Sequence, residues 1–116
     1  MSDSIKNALR KATIGTAKKF KKVKFTYEGN DFEFRGLTVR DRDDIRAKAT
    51  DKEGNILGAA FQVWALIYMT YVPETDDKVF SPEDYDMLMS QPAGGFVDVL
   101  AGEALKLMSG DAEGKE

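Results

Sequence analysis

The sequence predicts a small α+β domain, mainly α-helical, in which one N-terminal β-hairpin packs on three to four helices. Three patterns predict this fold: paired alternating segments on either side of residue 29, a long apolar segment over 56–72, and helical periodicity after residue 81. The chain of 116 residues is long enough for one domain with its own core. Its 42% hydrophobic and 32% charged residues are typical of globular proteins.

The hairpin is the clearest local pattern. Residues 22–27 and 31–35 alternate between apolar and polar side chains, and Gly29 with Asn30 forms a turn pair between them. A turn at these two residues would place aromatic side chains opposite one another, Tyr27 with Phe32 and Phe25 with Phe34. Two strands alone are only marginally stable, so we expect the aromatic face to pack on helices.

Four helices are predicted after the hairpin. Thr38 can cap a helix that begins at Val39 and stops at Gly54, and Asn55 can cap a long helix that Pro73 ends. Residues 81–84 combine a Ser cap, a proline and two carboxylates, which is a helix start. The last helix runs from residue 96 to Gly110.

The long apolar segment, residues 56–72, carries a mainly aromatic stripe at helical spacing. Acidic flanks and a length below the roughly 20 residues of a membrane span favour a buried helix over a transmembrane one. A helix that is apolar all round must be covered all round. Ordinary core packing and a surface for a partner or a second copy both explain the stripe.

Charge is unevenly distributed along the chain. Residues 1–24 hold eight basic side chains and one carboxylate, a net charge of +7, whereas the remaining residues hold nine basic and nineteen acidic side chains, a net charge of −10. We predict a basic arm over 1–21 that is helical or disordered, a globular domain over 22–110 and a polar tail over 111–116. The arm's lysines are candidates for electrostatic contact with an acidic partner or another copy: Lys18, Lys19, Lys21 and Lys22.

The sequence contains few of the residue types on which enzymes rely for catalysis. The chain has no Cys and no His, which excludes thiolate and imidazole nucleophile constellations, disulfides and most zinc sites. Its acidic pairs do not follow the calcium-loop pattern, and the glycines at 94 and 95 lack the residues of a phosphate-binding loop. We therefore expect a non-enzymatic interaction domain with no cofactor and no metal.

Several strings resemble the tail assembly chaperones of long-tailed bacteriophages. The resemblance covers roughly residues 22–109 and is carried by five segments: FRGLTVRDRD at 34–43, FQVWALI at 61–67, YVP at 71–73, VFSPED at 79–84 and QPAGGFV at 91–97. The basic arm lies outside the matched part. Such chaperones have no catalytic residues, which agrees with the missing Cys and His.

The resemblance implies a function. Chaperones of this family bind the tape measure protein, the long helical protein that sets tail length, and keep it soluble before the tail tube polymerises around it. They self-associate, act in the host cell cytoplasm and are absent from the mature virion. Many of their genes, in phages and prophages, also produce a longer form by programmed frameshifting, and the Gly114-Lys115 dipeptide is compatible with a slippery heptamer.

Candidate partner-binding residues follow from the apolar patterns. An adaptable apolar groove suits a client that exposes apolar stripes, and the methionines at 87, 89 and 108 would suit such a surface. The candidates lie on the stripe and on the last helix: Phe61, Trp64, Tyr68, Tyr71, Phe96, Leu100 and Met108. Two other classes stay open, a structural tail tube or completion protein and, less favoured, a nucleic-acid-binding protein that uses the basic arm.

Overall fold

The computed structural model describes residues 2–13 and 21–109 of the chain. Within them the protein is a small α+β domain, as predicted, with five α-helices and one three-stranded antiparallel sheet in the order β1-β2-β3. A 3₁₀ turn at Pro82–Asp84 precedes the fourth helix. The elements are α1 (Ser2–Ala12), β1 (Lys22–Tyr27), β2 (Asn30–Arg35), α2 (Val39–Lys48), α3 (Gly58–Met69), β3 (Thr70–Tyr71), α4 (Tyr85–Met89) and α5 (Phe96–Ser109).

The hairpin forms with its aromatic side chains on one face, but its predicted register is wrong by two residues. The two loop residues are Glu28 and Gly29, with positive φ angles of 52° and 79°, which is the geometry of the type I′ turn that matches strand twist. Phe25 therefore faces Phe32, and Val23 faces Phe34. Because side chains alternate with a period of two, a shift of two residues leaves the aromatic face unchanged.

Helix α2 begins where predicted and ends early. The Thr38 hydroxyl accepts a hydrogen bond of 3.0 Å from the Asp41 backbone N–H, so the predicted cap is confirmed. The helix stops at Lys48 rather than at Gly54, because the carboxylate of Asp51 accepts hydrogen bonds from the backbone N–H groups of residues 53 and 55. This local side-chain turn competes with helix continuation.

The long apolar segment is a shorter helix followed by a strand. Helix α3 begins at Gly58 after Leu57, so Asn55 is not its cap, and it ends at Met69. Thr70 is extended, with ψ near 123°, and pairs with Phe34, which adds β3 to the sheet. The prediction of one helix to residue 72 is therefore wrong over its last three positions. No described helix is long and apolar enough to cross a membrane.

The core lies between the aromatic face of the sheet and helices α3 and α5. Fully buried side chains come from each of these elements and from α4, with Phe34 at the centre of the sheet face. Helix α2 buries only Ile45, and the residue after its end, Ala49, is also buried; the rest of its surface carries charges of both signs, as its sequence predicts. The largest buried side chains are Phe34, Ile45, Leu66, Ile67, Met69, Leu88 and Leu100.

The basic arm is only partly within the described residues. Helix α1 occupies its first part, and every described side chain from Asp3 to Thr13 is exposed. Lys21 precedes β1 and Lys22 is its first residue, and both are exposed. Lys18 and Lys19 lie outside the described residues, as do Gly110 and the predicted tail over 111–116.

Candidate functional site

An apolar groove opens between α3, α4 and the start of α5. Its volume is about 160 Å³. Ala59 and Val63 of α3 form one side, Leu88 and Met89 of α4 the other, and Val97 of α5 closes one end. Pro92 and Ala93 complete the apolar part of the lining, and polar atoms come from Gln62, Gln91 and Asp98.

The turn between α4 and α5 positions this groove. Helix α4 ends after Met89, and Gly94 adopts a positive φ of 82°, which turns the chain sharply into α5. Asp98, in the first turn of α5, accepts a hydrogen bond of 2.5 Å from the Gly94 backbone N–H. Its other oxygen accepts one of 3.0 Å from the side-chain amide of Gln62. Asp98 thereby ties the turn, α5 and α3 together at the edge of the groove.

The rim of the groove is open to solvent and carries an exposed methionine. Met89, which lines it, is 42% exposed, and Met87 on the same helix is 54% exposed. Methionine side chains adapt to irregular apolar surfaces because they are unbranched and polarizable. Among the described residues that line the groove none is basic. The arrangement can bind aliphatic side chains beside a negative charge, and it holds no nucleophile paired with a base.

The aromatic stripe lies on a different side of α3. Phe61 is two residues from both Ala59 and Val63, which places it about 200° around the helix axis from each. Trp64 stacks on Tyr85, with ring centroids 4.7 Å apart, and meets Tyr68 edge-on at 6.4 Å. This side of α3 is therefore packed by rings of the chain itself.

Cations cover the rings of this stripe. The ammonium nitrogen of Lys48 is 5.0 Å from the Trp64 ring centroid, and that of Lys78 is 5.1 Å from the Tyr68 centroid. The guanidinium carbon of Arg35 is 4.1 Å from the Tyr71 centroid. Such contacts are worth about 0.5–1 kcal/mol each at exposed sites. We call Trp64, Tyr68 and Tyr71 with these three cations the cation–aromatic ladder.

A buried ion pair anchors one end of the ladder. The Arg35 Nε atom is 2.7 Å from a Glu33 carboxylate oxygen, and the Glu33 side chain is only 4% exposed. The other Glu33 oxygen accepts a hydrogen bond of 2.9 Å from the Glu74 backbone N–H. Arg35 also donates to the Thr75 carbonyl and contacts Asp76 at 3.0 Å. The pair thus holds the 72–78 loop against the outer face of the sheet.

The surroundings of this pair set its protonation. Burial alone would raise the pKa of Glu33, but the hydrogen bonds from the Glu74 N–H and Arg35, with the charges of Arg35 and Lys22, outweigh it and lower that pKa. The hydrogen bond to Glu33 raises the pKa of Arg35. Burial raises the pKa of Tyr68 and of Tyr71, so both phenols stay neutral well above pH 7.

The residues predicted for partner binding lie on three elements, α3, β3 and α5. Phe61, Trp64 and Tyr68 are half-buried on α3, and Tyr71 is half-buried on β3 rather than on the helical stripe. Phe96 and Met108 are half-buried against the core, and Leu100 is 1% exposed, which makes it a core residue in this chain. None of the seven lines the groove.

Sequence reasoning missed the groove itself. The signals that could have found it were the two exposed methionines of α4 and the Gly94 turn. Sequence alone does not show that Ala59, Val63 and Val97 converge there.

Comparisons of the chain with protein-family models, with curated proteins and with solved structures find no match. The resemblance to tail assembly chaperones therefore rests on the sequence strings alone.

Proposed function

We propose that the protein is a non-enzymatic tail assembly chaperone that binds an amphipathic helix of a phage tape measure protein in the α3–α4–α5 groove. The groove carries this proposal, because an apolar cavity and an exposed methionine meet there. A client helix would insert one or two aliphatic side chains, as amphipathic helices do in apolar grooves. Its affinity would come from apolar burial that an adaptable rim can fit to several client sequences.

Charge adds a preference to this binding. Asp98 stands at the groove edge, and residues 25–116 together carry −10. A client helix with a lysine or arginine beside its apolar anchors would therefore bind faster and in a preferred orientation. The acidic surface would equally repel acidic clients.

The phage assignment itself is supported by the sequence resemblance. The strings at 34–43, 61–67 and 91–97 fall on the β2–α2 junction, on α3 and on the turn into α5, so two of the three contribute to the groove or its supports. This assignment implies that the protein acts in the host cytoplasm, self-associates and is absent from the finished virion. Where the gene frameshifts, it also implies a longer form of the chain. The cation–aromatic ladder would then stabilise the domain rather than bind the client.

Co-expression with the tape measure protein encoded beside this gene tests the proposal. We expect the soluble fraction of the tape measure protein to rise in the presence of the chain, and size-exclusion light scattering to show several copies bound per tape measure chain. A tape measure protein that stays insoluble with both the chain and an engineered extended form would contradict the proposal.

The rival functions give different results. A structural tail protein would be found by mass spectrometry in purified particles, whereas the chaperone is absent from them. A nucleic-acid-binding protein would retain DNA or RNA with an affinity that falls steeply with salt and is lost when residues 1–24 are removed.

A further inference from the structure

Helix α1 is too short to be stable without a surface to pack on. It has 11 residues, and isolated helices shorter than about 12–15 residues are marginal in water. Ile5 and Leu9 are spaced four residues apart, so they lie on one face, and they are 63% and 62% exposed. Nothing in the described part of the chain covers this face.

Basic residues border the apolar face of α1. Lys6 lies about 60° and Arg10 about 100° around the helix axis from Leu9. Lys11 is the third basic residue of the helix, and Asp3 is its single carboxylate. Basic charge and an aliphatic face thus occur together on a helix whose Ile5 and Leu9 are left exposed by the described part of the chain. A surface complementary to α1 would be an apolar recess with negative charge at the edge of the recess.

The α3–α4–α5 groove has those properties. Its volume of about 160 Å³ is that of a site which accepts a benzene-sized apolar group, about 150 Å³ in an engineered cavity. One aliphatic side chain of α1 would therefore fill it. Asp98 stands at its edge, Asp86 is exposed on the same helix as Met89, and none of its described lining residues is basic.

We propose that α1 of one copy docks in the groove of a second copy, with Leu9 or Ile5 inserted beside Met89. The basic residues that border this apolar face then lie next to Asp86 and Asp98. An exchange of α1 between two copies buries both apolar faces and pairs a helix of net charge +2 with residues 25–116, which carry −10. The docking of α1 does not require the tape measure protein as client, and a client helix in the same groove would compete with α1 for it.

Sedimentation velocity of the full chain over a concentration series tests this docking. We expect the wild-type chain to form dimers that weaken as salt rises, because the pairing is partly electrostatic. Leu9→Glu and Met89→Glu should each weaken dimerisation by roughly tenfold or more, since each removes an apolar contact worth about a factor of ten.

Two charge-matched controls accompany these variants. Asn7→Glu adds the same charge to the polar side of α1, and Met87→Glu adds it to α4 at an exposed position that does not line the groove. Both should dimerise close to wild type. A wild-type chain that stays monomeric throughout, or an equal effect of Leu9→Glu and Asn7→Glu, would overturn the proposal.

A disulfide trap distinguishes a second copy from the same chain, and it is clean because the sequence contains no cysteine. Mixing Leu9→Cys with Met89→Cys chains should give a cross-linked heterodimer several times more readily than mixing Leu9→Cys with Met87→Cys. A Leu9→Cys, Met89→Cys double variant that cross-links only within one chain would show α1 in its own groove and refute the exchange. Dimers that dissociate when a nucleic acid or an anionic vesicle captures α1 would agree with the proposal. A chain whose α1 is captured in this way but that never forms dimers would refute it.

Discussion

Two sides of α3 are equally apolar in sequence and differ in what covers them. Trp64 and Tyr68 are packed by Tyr85 and by the cations of Lys48 and Lys78. Ala59 and Val63, on the other side, face an open groove rimmed by an exposed methionine. In this chain the large aromatic residues of α3 lie on its packed side, whereas the small residues leave a space into which a partner can insert.

The largest expected effect comes from breaking the packed side. Trp64→Ala removes the ring that stacks on Tyr85 and contacts Lys48, and we expect the free energy of unfolding to fall by about 3 kcal/mol. Chemical denaturation measures this loss. The folded variant should still keep the tape measure protein soluble, and loss of that activity without loss of stability would place the client on the stripe instead.

A smaller loss is expected from the anchor of the ladder. Glu33→Ala leaves the Nε–H of Arg35 and the Glu74 N–H without their partner, and stability should fall by about 2 kcal/mol. Glu33→Gln, which can still accept the hydrogen bond from Glu74, should lose less. Equal stability of the Ala variant and the wild type in denaturation would show that the ion pair does not hold the 72–78 loop.

The same anchor predicts a pH dependence. Because the pKa of Glu33 is lowered in the folded chain, its stabilising contribution is complete above its ordinary value of 4.5 and is lost as pH falls below that value through the folded pKa. The wild type should therefore lose more stability than Glu33→Gln between pH 5 and pH 3, with both limits approximate. Parallel pH profiles of the two chains would contradict this.

A cation of the ladder gives the smallest stability effect. Lys78 contacts the rings of both Tyr68 and Tyr71, at 5.1 and 5.8 Å from their centroids. Lys78→Met keeps the aliphatic stem and removes the charge, and should cost about 0.5–1 kcal/mol. Lys52→Met, at an exposed position in the α2–α3 loop, is the matched control. Identical melting of the two variants would show that the contacts add nothing.

The parts of the fold that depend on neighbouring residues are predictable from the sequence. The Thr38 cap and the aromatic face of the hairpin need only local spacing, and both are present. The register was missed because Glu28 adopts a positive φ, which a non-glycine residue seldom does. Alternation alone does not distinguish registers two residues apart.

Features that depend on distant residues were not predictable. Strand β3 continues an apolar segment whose pattern predicts a helix. It is a strand because Tyr71 pairs with Glu33, which lies far from it in the chain. The groove likewise needs three helices to converge. The sequence placed partner binding on residues of the aromatic stripe and of the last helix. It does not show that Leu100 among them is buried or that Trp64 stacks on Tyr85.

The most direct test of the groove as the client site compares two charge substitutions on α4. Met89 lines the groove and Met87 does not, and both are exposed, so Met89→Glu and Met87→Glu should each change stability by less than about 0.5 kcal/mol. Co-expressed with the tape measure protein, Met87→Glu should keep it soluble as the wild type does, and Met89→Glu should leave it in the insoluble fraction. A Met89→Glu chain that is folded and fully active would contradict the groove as the binding site.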